Sequence, residues 1–319
     1  MEKTSVAERE EKDMMYVWLI VGFVLLIKGA DFFVEGSSSV AKLLKIPSVI
    51  IGLTIVAMGT SAPEAAVSIT AGLAGNNDIA ISNIIGSNIF NLLVVVGVCA
   101  VMKGVTTDKD ILKRDMPVNI GISALLLLFL IDLKITRIEG VILFILFVVY
   151  MIIVVGEGMK NRTTETEEVK VLSPALSIVF IVAGLAAVVF GGDLVVDNAS
   201  KIAENFGLSQ NLIGLTIVAV GTSLPELVTS IVATRKGESG LALGNAVGSC
   251  VFNILFILGM SGTLSPMAAT GESFVDICVL TVVTIMMLIF GKTKGMTSRI
   301  EGAICVLAYA GYMVYAVMR

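Results

Sequence analysis

The sequence predicts an all-α polytopic membrane protein of ten transmembrane helices, arranged as two inverted five-helix repeats. Three observations predict it. Of the 319 residues, 56% are hydrophobic and only 15% are charged, whereas soluble domains carry about 25% charged residues. Apolar runs near the length that spans a bilayer recur along the whole chain. Finally, the second half of the chain repeats the first half.

Ten apolar runs are the predicted spans. In the first half they are Met15–Val34, Val49–Leu73, Ile79–Val101, Val118–Leu133 and Ile138–Val155. In the second half they are Leu172–Phe190, Leu212–Thr234, Leu241–Gly262, Phe274–Phe290 and Ile300–Met318. The predicted domains are an N-terminal tail (1–14), a first repeat (15–155), a cytoplasmic linker (156–171) and a second, inverted repeat (172–319). The tail is more acidic than basic, so we expect an uncleaved first helix rather than a signal peptide.

A fourteen-residue motif occurs twice. Ile51–Glu64 reads IGLTIVAMGTSAPE, and Ile213–Glu226, 162 positions later, reads IGLTIVAVGTSLPE. Gly-Ser-x-x-Phe-Asn at 86–91 returns at 248–253 with the same offset. Self-similarity at a fixed offset indicates an internal duplication. Because each copy contains five spans, an odd number, the second copy enters the membrane from the opposite side.

Charged residues in the loops predict the orientation. Seven lysines and arginines lie on the side of the N-terminus and fourteen on the other, and cytoplasmic loops carry the excess. We therefore expect a plasma-membrane protein with both termini outside and the linker in the cytoplasm. The formal charge of −4 gives no indication of nucleic-acid binding, and there is no histidine to relay protons.

The duplicated motif puts a carboxylate at membrane depth. At about 1.5 Å per residue, Glu64 lies roughly 4–5 Å from the middle of the second span, and Glu226 occupies the same position in the seventh. An ionisable residue there is costly and is expected to face a functional interior. Pro63 cannot donate a helix hydrogen bond, so it kinks or breaks the helix and frees carbonyl oxygens. Carboxylates, hydroxyls and carbonyls are the ligands of a hard cation.

The neighbouring spans supply further polar groups. Ser87 and Asn91 are four residues apart and share one helix face, as do Thr60 and Glu64. The second half repeats this set with Ala219, Thr222, Ser223, Glu226, Ser249 and Asn253. Two half-sites that meet across a pseudo-two-fold axis predict one oxygen-lined cage with two carboxylates.

Gly-Thr-Ser-x-Pro-Glu followed by Gly-Ser-x-x-x-Asn, in both halves of a ten-span chain, resembles the sodium/calcium exchanger family of the cation/calcium antiporters. The resemblance covers essentially the whole chain. It implies a secondary antiporter, with no enzymatic activity and no cofactor, that extrudes Ca²⁺ in exchange for Na⁺ by alternating access.

The resemblance also implies the ligands of the transported cations. They are Glu64, Glu226, the side chains of Thr60, Ser61, Ser87, Thr222, Ser223 and Ser249, and the backbone carbonyls of Ala57 and Ala219. The repeated polar set adds the side chains of Asn91 and Asn253 as candidate ligands. Asn91 matches the asparagine of the family's first half. Relatives commonly carry an aspartate at the position of Asn253, so this chain's site holds two formal negative charges.

Other interpretations remain open. A proton- or K⁺-coupled calcium exchanger is one alternative, although proton-coupled exchangers typically show Gly-Asn-Ala-x-Glu in place of the motif found here. A cation channel is another, but channels usually build their pore from several subunits. In this chain the two halves complete the site, so we expect a functional monomer in the lipid bilayer.

Single residues also have simpler interpretations. Either glutamate of the motif is alternatively a protonated structural carboxyl at a helix break. Ser87 and Ser249 are alternatively small residues at a close helix crossing. Four acidic residues near the ends of the first and sixth spans are expected to be structural or to line the entrance to the site: Asp31, Glu35, Asp193 and Asp197.

Overall fold

The protein is described by a computed structural model over residues 2–160, 171–207 and 219–318, and most of these are helical. The first half contains α1 (Glu2–Leu44), α2 (Ser48–Thr60), α3 (Ala62–Leu73), α4 (Asn77–Phe90, prolonged by Asn91–Val95 and Val96–Lys103), α5 (Ile111–Asp132) and α6 (Arg137–Lys160). The second half contains α7 (Pro174–Asn205), a helical turn at Ala219–Gly221, α8 (Leu224–Arg235), α9 (Ser239–Leu264), α10 (Gly271–Lys294) and α11 (Arg299–Met318).

Most of these helices are long enough to cross a membrane. Within the described residues, eight are long and apolar enough to do so, and α2 with α3 makes a ninth span that is bent by 50°. The predicted seventh span, Leu212–Thr234, begins in residues 208–218, which lie outside the described residues; its described part ends in α8. We call the membrane face at the C-terminal end of α6 the linker side, and the opposite face the terminal side.

Several helices are longer than the predicted spans. α1 begins at Glu2, so the predicted tail is helical over its described part, and α6 continues into the predicted linker as far as Lys160. α5 begins at Ile111 rather than at 118, and α7 ends at Asn205 rather than at 190. Hydropathy detects only the apolar part of a helix, so polar turns at its ends are missed. Asp31, predicted near the end of a span, therefore lies near the middle of the apolar segment Met14–Leu44.

Close glycine contacts show the inverted repeat directly. Gly22 of α1 lies against Gly191 of α7, and Gly29 of α1 lies against Gly184 of α7. By the 162-residue offset, Gly22 corresponds to Gly184 and Gly29 corresponds to Gly191, so the second contact is the first with the halves exchanged. A Cβ on Gly22 would stand 3.0 Å from the Gly191 carbonyl oxygen, and one on Gly29 would stand 2.9 Å from that of Gly184. Small residues thus allow α1 and α7 to cross with their backbones almost in contact.

Two short antiparallel ribbons agree with this topology. β1 (Val105–Thr106) pairs with β4 (Met296–Thr297), and β2 (Lys134–Ile135) pairs with β3 (Met267–Ala268). The 162-residue offset converts one ribbon into the other. Because the two strands of each ribbon come from loops predicted on the same face of the membrane, the pairing supports the span count.

The central helices are α4 and α9. In their apolar segments 78% and 94% of the residues are buried, compared with 28% in α6 and in α7. Inverted-repeat proteins place their substrate sites between the repeats, so α4 and α9 form the frame on which a central site rests.

Candidate cation site

Two helix breaks shape the site. α2 ends at Thr60, Ser61 takes φ −83° and ψ 13°, and α3 continues at an angle of 50°. Ser223 has nearly the same backbone conformation before α8, φ −93° and ψ 8°. Pro63 and Pro225 stand in the first turns of α3 and α8, where the missing N–H is tolerated because first-turn N–H groups have no helical partner. The helix is therefore broken at the motif, as expected from the proline.

The breaks place both glutamates at the start of a helix. Glu64 lies in the first turn of α3 and Glu226 in the first turn of α8, and both side chains are fully buried. A helix N-terminus carries partial positive charge, so it stabilises a carboxylate. Each glutamate is thus held at a helix end that faces the interior.

The serine of each break binds the glutamate of the other half. Ser61 Oγ donates to Glu226 Oε1 over 2.6 Å, and Ser223 Oγ donates to Glu64 Oε1 over 2.9 Å. Because each serine precedes the glutamate of its own half by three residues, this exchange brings both carboxylates to one junction between the repeats.

Buried oxygen atoms around this junction lack partners. Within the described part of the chain, the following have no hydrogen bond: Glu64 Oε2, Glu226 Oε2, Ser87 Oγ, Asn91 Oδ1 and Asn253 Oδ1. Buried polar atoms are nearly always paired, so a cluster of unpaired ones indicates a place for a ligand or ion. All five are oxygen atoms of the kinds that bind hard cations.

Neutral polar groups also lie around the junction. The segment at Asn91 packs against α8 and the segment at Asn253 packs against α3, while Ser87 lies beside the Glu64 carboxylate. No group of three or more His, Cys, Asp or Glu side chains suited to a metal occurs among the described residues. The formal charge of the junction therefore rests on its two glutamates.

α4 and α9 widen locally at Asn91 and at Asn253. π-helical segments run through Asn91–Val95 and Phe252–Leu258. A π-turn inserts an extra residue and changes the direction of the side chains that follow, and such turns are frequent at functional sites. These turns could not be predicted from hydropathy, because the apolar pattern of the span continues through them.

The other predicted ligands lie around the two breaks. The Thr60 hydroxyl is within reach of Val56 O at 3.1 Å and of Asn245 Oδ1 at 3.0 Å. Ser249 Oγ donates to the Ala57 carbonyl over 3.5 Å. The Ala57 carbonyl predicted as a cation ligand is thus also a hydrogen-bond acceptor here.

The second half differs slightly at the equivalent positions. Thr222 is 3.5 Å from Asn83 Oδ1 and lines a cavity next to the break. Ala219 begins a short helical turn beside residues 208–218, which lie outside the described residues.

Two asparagines next to the site were missed in the sequence analysis. Asn245 Nδ2 donates to the Glu226 carbonyl over 3.3 Å and to Ser230 Oγ over 2.9 Å. Its equivalent, Asn83, donates to Ser68 Oγ over 2.9 Å. These side chains tie α8 and α3 to the central helices. The signal was present in the repeat, since Asn-x-x-Gly-Ser begins at 83 and again at 245.

A cavity of about 570 Å³ reaches the site from the terminal side. It is lined by Ala62, Pro63, Ala66, Val67, Val189, Gly192, Asp193, Val196, Asp197, Gly221, Thr222 and Pro225. Its inner end lies at the two prolines of the breaks, and two carboxylates of α7 line its wall. These acidic side chains give a cation a favourable approach to the junction.

The equivalent region on the linker side contains a cluster of ion pairs. Lys236 Nζ lies 3.5 Å from Asp31 Oδ1 and 3.9 Å from Glu35 Oε2, and it donates to the Asp31 carbonyl over 2.8 Å. Asp31 and Glu35 correspond to the two acidic residues of the cavity, whereas the position equivalent to Lys236 is Ala74. The two approaches to the site therefore differ in charge and in packing, because α1 packs against α8 on the linker side.

Both halves of the chain match one family. Residues 14–156 and 176–318 match the sequence model described as "Sodium/calcium exchanger protein". The chain belongs to this family. It is 32% identical to the sodium/calcium exchanger MaX1 of Methanosarcina acetivorans, over 94% of this chain and 97% of the relative. It is 42% identical to the protein CaxA of Alkalimonas amylolytica, over 93% of this chain and 96% of the relative.

A solved structure shares the whole fold of this exchanger. The sodium-calcium exchanger NCX_Mj, soaked with 2.5 mM Na⁺ and 10 mM Sr²⁺, superposes with a TM-score of 0.84 at 32% identity, covering 95% of this chain and 99% of the other. The predicted fold of ten helices in two inverted repeats is confirmed. The exchanger is a multi-pass membrane protein and a cation/Ca²⁺ antiporter, with Ca²⁺ and Na⁺ as transported substrates. Members of the family are transporters that work without a cofactor, and not enzymes.

Proposed function

We propose that this antiporter uses the Na⁺ gradient to extrude Ca²⁺, and that it binds the ion between Glu64 and Glu226. The observation that carries the proposal is the crossed pair of hydrogen bonds, in which Ser61 and Ser223 each hold the other half's glutamate. It joins two carboxylates in a buried junction that also contains unpaired neutral oxygens. One divalent cation neutralises such a pair, and so do two monovalent ones.

Exchange without leak follows from shared ligands. Ca²⁺ and Na⁺ are both hard cations that bind oxygen, so they compete for the same carboxylates and for the same hydroxyls. The donor set proposed for both ions comprises the side chains of Glu64, Glu226, Thr60, Ser61, Ser87, Asn91, Thr222, Ser223, Ser249 and Asn253, and the carbonyls of Ala57 and Ala219. Two buried carboxylates without a bound cation repel each other. We therefore expect the chain to change conformation most readily when cations occupy the junction.

Alternating access is the proposed route. The cavity beside Asp193 opens the junction toward the terminal side, while the contacts of Lys236 with Asp31 and Glu35 close it toward the linker side. In an inverted repeat, exchange of the open and the packed arrangement between the halves produces the opposite access state. The ion pairs of Lys236 have no counterpart on the terminal side, where Ala74 stands at the equivalent position. The close glycine crossing of α1 and α7 lets the pair move as one unit.

The loop charges predict a plasma-membrane protein whose terminal side is outside, with residues 1–14 there and the linker 156–171 in the cytoplasm. The two proposed repeats, 15–155 and 172–319, complete one site within one chain, so the monomer is the proposed working unit.

Transport into vesicles tests the coupling ion. Purified protein is reconstituted into liposomes loaded with radioactive Ca²⁺, and an inward Na⁺ gradient, a pH gradient and a K⁺ gradient are imposed in turn. We expect Ca²⁺ efflux with the Na⁺ gradient alone, without a requirement for K⁺. Efflux that follows the pH gradient and ignores Na⁺ would overturn the proposal. Sustained single-ion current in bilayer recordings would instead identify a channel.

A further inference from the structure

The repeat is asymmetric at one buried position next to the site. Asn88 of α4 corresponds to Cys250 of α9, and the two lie against each other where the central helices cross. Asn88 Nδ2 donates to the Cys250 carbonyl over 3.1 Å, and Cys250 Sγ lies 3.7 Å from the Asn88 carbonyl. Each side chain thus contacts the backbone carbonyl of the other residue, and one side chain is an amide whereas the other is a thiol.

This asymmetry changes the surroundings of the two site asparagines. Asn253 Nδ2 donates to Asn88 Oδ1 over 2.9 Å, and its own Oδ1 has no partner among the described residues. Asn91 occupies the equivalent position in the first half, and neither its Nδ2 nor its Oδ1 has a partner there. All three asparagine side chains are fully buried.

The hydrogen bonds determine which way the amides point. The Cys250 carbonyl can only accept a hydrogen bond, so Asn88 must direct its NH₂ group toward it. Asn88 Oδ1 then faces Asn253 and can only accept, so Asn253 must direct its NH₂ group to Asn88. The Asn253 oxygen is left pointing away from that contact. The Asn91 amide has no such partner among the described residues, so no hydrogen bond fixes its direction.

We propose that Asn88 is a positioning residue that fixes Asn253 as a neutral oxygen ligand of the transported Ca²⁺. The inference rests on the proposed function, because it assigns a role at the same site. Without the acceptor on Asn88, the Asn253 amide turns and presents its NH₂ group to the cation in part of the molecules. Partners that orient a metal ligand typically contribute about 10-fold or more to metal affinity.

An aspartate at position 253 reverses the prediction. A carboxylate has two equivalent acceptor oxygens, so it needs no partner to orient it. One of these oxygens would face Asn88 Oδ1, which is also an acceptor, so the contact between residues 88 and 253 becomes repulsive. The effect of removing Asn88 must therefore depend on which residue stands at position 253. A purely structural role of Asn88 predicts the same loss with either residue.

Direct binding of radioactive Ca²⁺ to the purified protein in Na⁺-free buffer tests this. The proteins compared are the wild type, Asn88→Leu, which keeps the size of the side chain, Asn253→Asp, and the double variant, with Asn88→Ala as a second replacement. We expect Asn88→Leu to lower Ca²⁺ affinity about 10-fold or more in the wild-type background, with the number of sites unchanged. In the Asn253→Asp background it should leave the affinity unchanged or raise it.

Cys250→Ala is the matched control, because it keeps the carbonyl that orients Asn88 and should bind Ca²⁺ as the wild type does. An equal loss in both backgrounds, no loss in either, or failure of both Asn88 variants to fold in both backgrounds would overturn the inference. If the wild type itself binds no Ca²⁺, the proposed function fails, and the positioning role fails with it. If the wild type binds and only the background dependence is missing, the positioning role alone is refuted.

Discussion

Ser61 and Glu226 belong to different repeats, yet the serine hydroxyl donates to the carboxylate over 2.6 Å in the buried centre of the chain. The converse bond, from Ser223 to Glu64, measures 2.9 Å. The same three-residue segment, Ser-x-Pro, therefore breaks one helix and reaches across to the start of the other. This crossed arrangement makes each half incomplete without its counterpart.

Replacement of Ser61 by alanine should weaken Ca²⁺ binding. A hydrogen bond to a charged group contributes about 1.5–3 kcal/mol, which corresponds to roughly a 10- to 100-fold loss of affinity. Ser61→Thr keeps the hydroxyl and serves as the control. Apparent Ca²⁺ affinity in the liposome assay checks this, and an alanine variant with the affinity of the wild type would exclude Ser61 from the site.

Replacement of Glu64 or Glu226 by glutamine should abolish Ca²⁺ transport while the protein still folds. The change removes one of the two negative charges that hold the divalent ion, but it keeps the size and the buried position of the side chain. Transport and the thermal unfolding midpoint are measured together. Asp132→Asn, at the exposed end of α5, is the control and should exchange normally. Normal exchange by either glutamine variant would refute the two-carboxylate site.

Lys236→Gln should open the linker side more often, because it removes the cation that holds Asp31 and Glu35. The readout is maleimide labelling of a Ser38→Cys variant on α1, whose serine is 7% exposed, in a background that lacks the partly exposed Cys278. We expect faster labelling.

The matched control for this experiment is Lys28→Gln. Lys28 lies 4.0 Å from Asp31, but its side chain is 70% exposed, so its loss should leave labelling unchanged. Labelling that does not respond to Lys236→Gln, or responds equally to both changes, would contradict the role of Lys236 in closing the linker side.

Asp115→Ala should lower the free energy of unfolding by about 3 kcal/mol, as expected when one partner of a buried ion pair is removed. Asp115 is fully buried, accepts two hydrogen bonds from Arg114 at 2.8 and 2.9 Å and a third from Tyr150 at 3.0 Å. Denaturation in detergent measures the change. Glu157→Gln alters a half-exposed partner of the same arginine and should cost less than about 1 kcal/mol. Equal losses would show that burial of Asp115 is unimportant.

Local chemistry in the sequence predicted much of the candidate site. Pro63 and Pro225 predict the helix breaks because a proline cannot donate a helical hydrogen bond, and both breaks are present. The glutamates next to them are buried at helix starts, which follows from the same breaks. The extent of α1 was not predictable in this way, because its polar turns continue the helix beyond the apolar run.

Other features next to the site needed the tertiary structure. The π-turns at Asn91 and at Phe252–Leu258 leave no mark in hydropathy. The asparagine pair Asn83 and Asn245 could have been found from the repeat, but their partners could not, because those lie on other helices.

The sequence by itself determined the number of repeats, their inversion and the residue types of the site, because a duplicated motif and an odd number of spans are properties of the chain order alone. Only the tertiary structure decided which side chains meet. Ser61 meets Glu226, Asn253 meets Asn88, and Lys236 meets Asp31. The physical reason is that these pairs are more than 160 residues apart, and their contact depends on how closely glycines let the helices cross and on where a π-turn redirects a side chain.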